Sequence, residues 1–205
     1  MKMARIRLVA SLGVVLSILA GLSPATATEE DRRLRRGAFL GAHFVYAIPD
    51  FDIEGGLTTD DPLGFEVFAG YRFNRYVSLE GQFLYLPNFD VRELGQHLTD
   101  AWALTAMPAT KVYPLADVLP AWVQPYGMFG VGVLVAHVDE VFFLDDATDA
   151  TAAFRFSGGA DFYLLPQLVA RVSGGYVLGV SDLSLVGIEA TPNFAPITVG
   201  LEFRF

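Results

Sequence analysis

The chain has 205 residues, 53% of them hydrophobic, with 23 acidic and 14 basic side chains and no cysteine. The net charge of −9 argues against nucleic-acid binding, which needs a basic surface, and the missing cysteines exclude disulfides and thiolate metal centres. Beyond the amino-terminal segment no apolar run reaches the ~20 residues of a spanning helix, so high apolarity favours a barrel over a helical membrane protein.

Lys2, Arg5 and Arg7 form a basic start, and Leu8 to Leu22 is an apolar run ending at Ser23-Pro24. Ala25-Thr26-Ala27 then offers a small-residue cleavage site, so residues 1–27 read as a secretory signal peptide. Cleavage would remove three of the basic residues and none of the acidic ones. Residues 28–36 follow as a short periplasmic stub carrying Arg32, Arg33, Arg35 and Arg36. Residues 37–205 form the folded domain.

That domain reads as eight segments in which apolar and polar residues alternate with period two: 37–47, 64–73, 76–86, 101–113, 124–137, 151–163, 168–179 and 194–205. The alternation gives each strand one apolar face for lipid and one face for a lumen. Leu40, Ala42, Phe44 and Tyr46 mark the lipid face of the first, and Phe65, Val67, Ala69, Tyr71 and Phe73 that of the second. Val77, Leu79, Gly81, Phe83 and Tyr85 mark it in the third. The fourth and fifth are less clean. Pro108 removes a ladder donor in the fourth, which predicts a bulge, and Phe129, Val131, Val133 and Val135 set the lipid face of the fifth. Phe154, Phe156 and Phe162 continue it in the sixth, and Ala170, Val172, Tyr176 and Leu178 in the seventh. The eighth (APITVGLEFRF) is the cleanest, with Ile197, Val199, Leu201, Phe203 and Phe205 on one side.

Connections after the odd-numbered strands are long, and two of the others are very short. Inward residues on the second and third strands are all even-numbered, which requires an odd-length turn such as Phe73-Asn74-Arg75. The same parity gives Leu165-Pro166-Gln167. Short turns on one side and long loops on the other predict an eight-stranded antiparallel up-and-down transmembrane β-barrel, closed by pairing of its first and last strands. Aromatics near strand ends (Tyr46, Phe73, Tyr85, Trp102, Tyr113, Trp122, Tyr126, Tyr163 and Phe205) read as interfacial girdles.

Phe65 to Leu86 (FEVFAGYRFNRYVSLEGQFLYL), Val123 to Val133 (VQPYGMFGVGV), Ser157 to Pro166 (SGGADFYLLP) and the terminal GLEFRF resemble the OmpA-like outer-membrane β-barrel family. The resemblance spans nearly all of the domain and implies the outer membrane of a Gram-negative bacterium. It also implies partners: the outer membrane and its lipopolysaccharide, periplasmic chaperones, and the barrel assembly machinery, for which Phe203 and Phe205 resemble the terminal signal. Many relatives carry a peptidoglycan-binding domain after the barrel; this chain ends with the eighth strand, so a cell-wall tether is not expected. The family includes both plugged barrels and small channels. A monomer is expected.

Sorting the charges by face places Glu66, Glu80, Asp161 and Glu202 in the lumen with Arg72, Lys111, Arg155, Arg171 and Arg204. Buried charges must be paired, which predicts a salt-bridge network filling a barrel only just wide enough for its side chains. The expected role is structural or interactive; the alternative is a narrow ion-conducting channel gated by that network. His43 is expected to face the lumen as a hydrogen-bonding partner. The outer loops hold Asp50, Asp52, Glu54, Asp60, Asp61, Asp90, Glu93, Asp100, Asp139, Glu140, Asp145, Asp146, Asp149, Asp182 and Glu189, opposed only by Arg92. Such a surface concentrates cations and repels lipopolysaccharide phosphates unless Mg²⁺ or Ca²⁺ bridges them.

Asp50 to Asp61 (DFDIEGGLTTDD) places Asp50, Asp52, Glu54 and Asp61 at positions 1, 3, 5 and 12 of a calcium-loop pattern, with Gly55 at the turn. Glu at position 5, Asp at position 12 and flanking strands depart from that pattern, so loop-bound Ca²⁺ or Mg²⁺ is a secondary expectation and no other cofactor is foreseen. Catalysis is not expected. No His has a Ser two residues on, as barrel lipid A deacylases require, and His137 with Asp139 is an isolated pair.

Overall fold

The computed structural model describes residues 36–50, 57–59, 62–93, 96–138, 147–181, 183–185, 188–190 and 192–205. The predicted signal peptide, residues 28–35 of the stub, and Asp52, Glu54, Asp60, Asp61, Asp139, Glu140, Asp145, Asp146 and Asp182 lie outside them. Eight long strands carry the fold: β1 (Gly37–Pro49), β3 (Leu63–Arg72), β4 (Val77–Glu93), β5 (Gln96–Val112), β6 (Val123–Val138), β7 (Ala147–Tyr163), β8 (Leu168–Gly179) and β11 (Phe194–Arg204). Each pairs antiparallel with its neighbours in chain order, and β1 pairs with β11 from Phe39↔Arg204 to Pro49↔Phe194, so the sheet closes on itself. Short strands β2 (Leu57–Thr59), β9 (Leu183–Leu185) and β10 (Ile188–Ala190) lie beyond the outer rim; β2 adds to β4, and β9 pairs with β10.

Closure satisfies the backbone that lipid could not. The outward faces are those expected: Phe44 is 79% exposed, and Leu40, Phe65, Val67, Leu79, Phe83, Phe129, Val131, Val133, Phe156, Val199 and Leu201 are all exposed. A continuous belt of this kind is incompatible with water and suits hydrocarbon. Among the described residues no helix is long and apolar enough to cross a membrane; the strands do so.

Four local expectations change. First, Pro108 makes no bulge. It pairs with Gly81, and the ladder to β6 lapses only between Ala106↔Val133 and Ala109↔Gly130, resuming in the same register. The missing N–H costs rungs locally without inserting a residue. The shift lies instead between Leu86 and Phe89, at Pro87-Asn88, and is reversed between Val91 and Arg92. Second, the connection after β4 is not a long loop. β4 and β5 run on to Glu93 and Gln96, so Asp90, Glu93 and Asp100 sit on paired backbone, as does Asp149 in β7. Backbone pairing above the bilayer needs no apolar face, so alternation does not report it. Third, the β3–β4 turn is odd-length but centred on Arg75, with Arg72 opposite Ser78. The Asn74 side chain accepts from the amides of Tyr76 and Val77 at 2.8 and 3.0 Å and fixes this turn one residue later than expected. The β7–β8 turn is centred on Pro166, as the parity required, with Tyr163 opposite Val169.

Fourth, three girdle candidates are interior. Tyr113, Tyr126 and Tyr163 are at most 6% exposed and point into the barrel. They share the parity of Lys111, Gln124 and Asp161, so the pleat decides their facing and position near a strand end does not. The periplasmic belt is made by Tyr71, Phe73, Tyr76, Phe203 and Phe205, all exposed. Towards the outer side Phe65, Tyr85, Trp102 and His137 form a chain of ring contacts.

Candidate functional site in the barrel lumen

Charge pairs in the lumen must form across the barrel, because the pleat places only alternate residues of each strand inside. All nine charged residues assigned there from sequence are inside and at most 8% exposed. Arg171 is the hub. Its guanidinium donates to Glu80 at 3.2 Å, to Asp161 at 3.0 Å and to Glu202, and it lies 4.2 Å over the Phe68 ring. Asp161 also accepts from Lys111 at 3.1 Å and from the Tyr113 hydroxyl at 2.8 Å, and Glu202 from Arg204 at 2.6 Å. A second group lies further out. Glu66 takes Arg155 on one oxygen and His43 on the other, and Gln82 joins the groups by donating to Glu80 and accepting from Arg155. Among the described residues Arg72 meets no carboxylate; it donates to the carbonyls of Asn74 and Arg75 and to the Tyr163 hydroxyl.

Gln82, Tyr113 and Tyr163 complete this network and were not anticipated, although parity alone would have placed them inside. Their role is to fill valences that ion pairs leave open, since a half-satisfied buried network is unfavourable. The cations are further covered by rings. Lys111 sits 3.8 Å from the Tyr126 centroid, Arg72 3.9 Å from Tyr113 and Arg204 4.8 Å from Tyr163.

The network occupies only part of the lumen. Towards the outer side Val45, Leu84, Leu86, Met107, Leu134, Val177 and Phe194, with alanines 47, 101, 103, 136 and 153, form one buried apolar cluster. Towards the periplasm Tyr113, Ala116, Tyr126 and Met128 form another, roofed by the 113–122 connection. The lumen therefore has three storeys: an apolar seal, a charged middle and an aromatic floor. Inward glycines make room for the largest side chains. A Cβ at Gly41 would meet the Phe68 ring, and one at Gly200 would meet His43 and the carbonyl of Ala42.

The floor is held from outside the membrane-spanning segments. Asp117 accepts from Arg75 at 2.7 Å and from the Tyr76 hydroxyl, and the amide of Tyr113 donates to Tyr76 O at 2.8 Å. The Tyr76 hydroxyl, and then Arg75, hold the Asp117 carboxyl below the usual carboxylate range; the same carboxylate pushes the Tyr76 phenol up. A depressed carboxyl contributes above its unfolded value of about 3.9 and is lost as pH falls through its folded one. A raised phenol contributes below about 10 and is lost as pH rises through its folded value. The clasp should therefore hold between about pH 4 and pH 10. Trp122 fluorescence anisotropy in a Trp102→Phe background should be flat across that window and fall on its acid side. Asp117→Asn should lower it already at neutral pH; no difference there would show that the clasp holds nothing.

Of the proposed calcium ligands only Asp50 is described. It is exposed, and its carboxylate accepts from the Tyr176 hydroxyl. Among the described residues no group of three or more metal-binding side chains occurs. His137 faces outward, bonded to Thr148 at 2.7 Å and stacked on Trp102.

Comparison with known proteins agrees with this architecture. No curated protein matches the sequence. Among solved structures, neisserial surface protein A superposes with a TM-score of 0.61 at 14% identity, covering 83% of this chain and 99% of that one. OprG from Pseudomonas aeruginosa gives 0.54 at 18% identity, covering 85% and 98%. Ail, the attachment invasion locus protein of Yersinia pestis, solved with the heparin analogue sucrose octasulfate, gives 0.51 at 18% identity, covering 83% and 97%. At these identities the likeness is one of fold. The sequence model described as outer membrane protein beta-barrel domain matches residues 13–205, and with the closed eight-stranded sheet and its lipid-facing belt this makes the chain a member of that family, a barrel of the Gram-negative outer membrane.

Proposed function

We propose that the protein is a plugged structural barrel whose interactions are made by its outer segments. The observation that carries this reading is the closed, three-storey lumen. An aqueous pore leaves its lining accessible to a water-sized probe, whereas Leu84 and Leu134 in the seal, Glu66, Glu80 and Lys111 in the middle and Tyr113 in the floor are all at most 1% exposed. Moving a charge through the apolar seal would cost several kcal/mol, on the order of the penalty for burying an unpaired ion. A channel gated by the network would need the seal, the ion pairs and the floor to rearrange together. No catalytic role is assigned to any residue.

Charge also bears on the partner. Ail was solved with a polysulfated sugar; the acidic outer segments here would repel such a ligand and favour cationic surfaces or cation-bridged lipopolysaccharide. Phe203 and Phe205, both exposed with rings 5.3 Å apart, are available to assembly machinery as a terminal signal.

Conductance across a planar bilayer tests the plug. The folded protein, with its insertion verified by heat-modifiable mobility, should leave the bilayer silent, and Glu80→Ala should not create steps. Reproducible conductance in the parent that Glu80→Ala alters would replace the plug with the gated channel.

A further inference from the structure

We propose that the 113–122 connection is an interfacial membrane anchor, with Leu115 and Val118 inserted among the phospholipid chains of the inner leaflet beside β4 and β5. The connection turns small residues inward and large apolar ones outward. Ala116 and Ala121 are buried, whereas Leu115 is 41% and Val118 75% exposed. A turn built for water would present polar side chains there; the lipid-facing wall shows the same arrangement as this connection.

Three observations make lipid the occupant of that outer face. The first is continuity with the belt. Val112, an exposed wall residue opposite Val77, leads directly into the connection, and the amide of Tyr113 donates to the carbonyl of Tyr76, whose own ring is exposed. The apolar patch therefore prolongs the surface already given to hydrocarbon. The second is charge. Asp117 is the one charged residue between 113 and 122, and it accepts from Arg75 at 2.7 Å and from the Tyr76 hydroxyl. Arg and Tyr each carry a polar tip on an apolar body, so this clasp suits headgroup depth with acyl chains alongside.

The third is the backbone. The amides of Val118 and Leu119 both donate to Leu115 O at 3.0 Å, and that of Val123 to Pro120 O at 3.0 Å. Trp122 O accepts from the Tyr163 amide at 2.8 Å, and Pro114 and Pro120 have no amide to satisfy. These groups are closed on protein, as entry into a water-poor layer requires. Binding of such an element scales with the apolar area it buries, so a charge placed on its outer face should release it.

The test is spin-label accessibility in vesicles of phosphatidylethanolamine and phosphatidylglycerol, made simple because the chain has no cysteine. Nitroxides are attached singly at Leu115→Cys and Val118→Cys. Phe83→Cys on the lipid-facing wall and Gln167→Cys on the exposed β7–β8 turn serve as references, and heat-modifiable mobility verifies folding of each. Collision with oxygen, which concentrates in lipid, relative to a water-soluble nickel chelate should be several-fold higher at 115 and 118 than at 167. Adding Val118→Asp to the chain labelled at 115 should bring that ratio down to the value at 167. Ratios at 115 and 118 equal to that at 167 in the parent would place the connection in water and overturn the proposal. So would a ratio at 115 that Val118→Asp leaves unchanged, since the apolar face would then hold nothing. Low collision with both reagents, with spin–spin broadening that vanishes on dilution with unlabelled protein, would give the face to a second copy and overturn it as well.

Discussion

Arg171→Met should lower the stability of the folded barrel by about 3–5 kcal/mol, the range for breaking a buried ion pair by removing one partner. The three acids on this guanidinium differ in what they would keep. Asp161 retains Lys111 and Tyr113, and Glu202 retains Arg204, whereas among the described residues Glu80 is left with the Gln82 amide alone. Most of the penalty should therefore arise at Glu80. Adding Glu80→Gln to Arg171→Met should recover part of it, with a coupling of about 0.5–3 kcal/mol in a double-mutant cycle. Arg171→Lys should not substitute, because an ammonium cannot span three carboxylates from one planar fork. Urea unfolding from lipid vesicles, followed by tryptophan fluorescence, gives these values. An Arg171→Met barrel within about 0.5 kcal/mol of the parent would show that the hub is not under stress when emptied.

Leu134→Ala should cost about 2–5 kcal/mol, while Val133→Ala one residue away should cost less than about 1 kcal/mol. Leu134 is fully buried in the apolar seal, where a deletion leaves a void between rigid strands; Val133 is 48% exposed on the outer wall, where lipid chains refill the space. The same unfolding assay resolves the pair. Similar costs at both positions would mean that the outer lumen is hydrated, and the seal would lose its role in closing the barrel.

That seal also explains what could be read from the sequence and what could not. In β1, β3 and β11 the inward residues include His43, Glu66, Arg72, Thr198 and Glu202, so alternation with the lipid face is sharp and both strand and facing follow. In β5 and β6 the inward set includes Ala101, Ala103, Met107, Leu134 and Ala136. Both faces of those strands are apolar, the contrast fades, and they read as irregular. The charged middle was legible because a charge on a strand of known parity has only one place to go. The interior tyrosines were not recognised because an aromatic near a strand end suits a membrane interface equally well. Asn74 shows a different limit: parity fixes a turn as odd or even, but a side-chain hydrogen bond chooses its centre.

The seam between β1 and β11 has a consequence for how the molecule comes into being. It joins Phe39 to Arg204 and Gly41 to Glu202, rungs between opposite ends of the chain. Every other contact in the wall links neighbours in sequence and can form as hairpins do, early and locally. The seam cannot form until the final strand exists. Until then any partly assembled sheet carries two raw edges, and in hydrocarbon each unpaired amide or carbonyl costs several kcal/mol. An open intermediate is thus tolerable only in water or with its edges held by other backbone, and entry into the bilayer and closure of the ring become a single event.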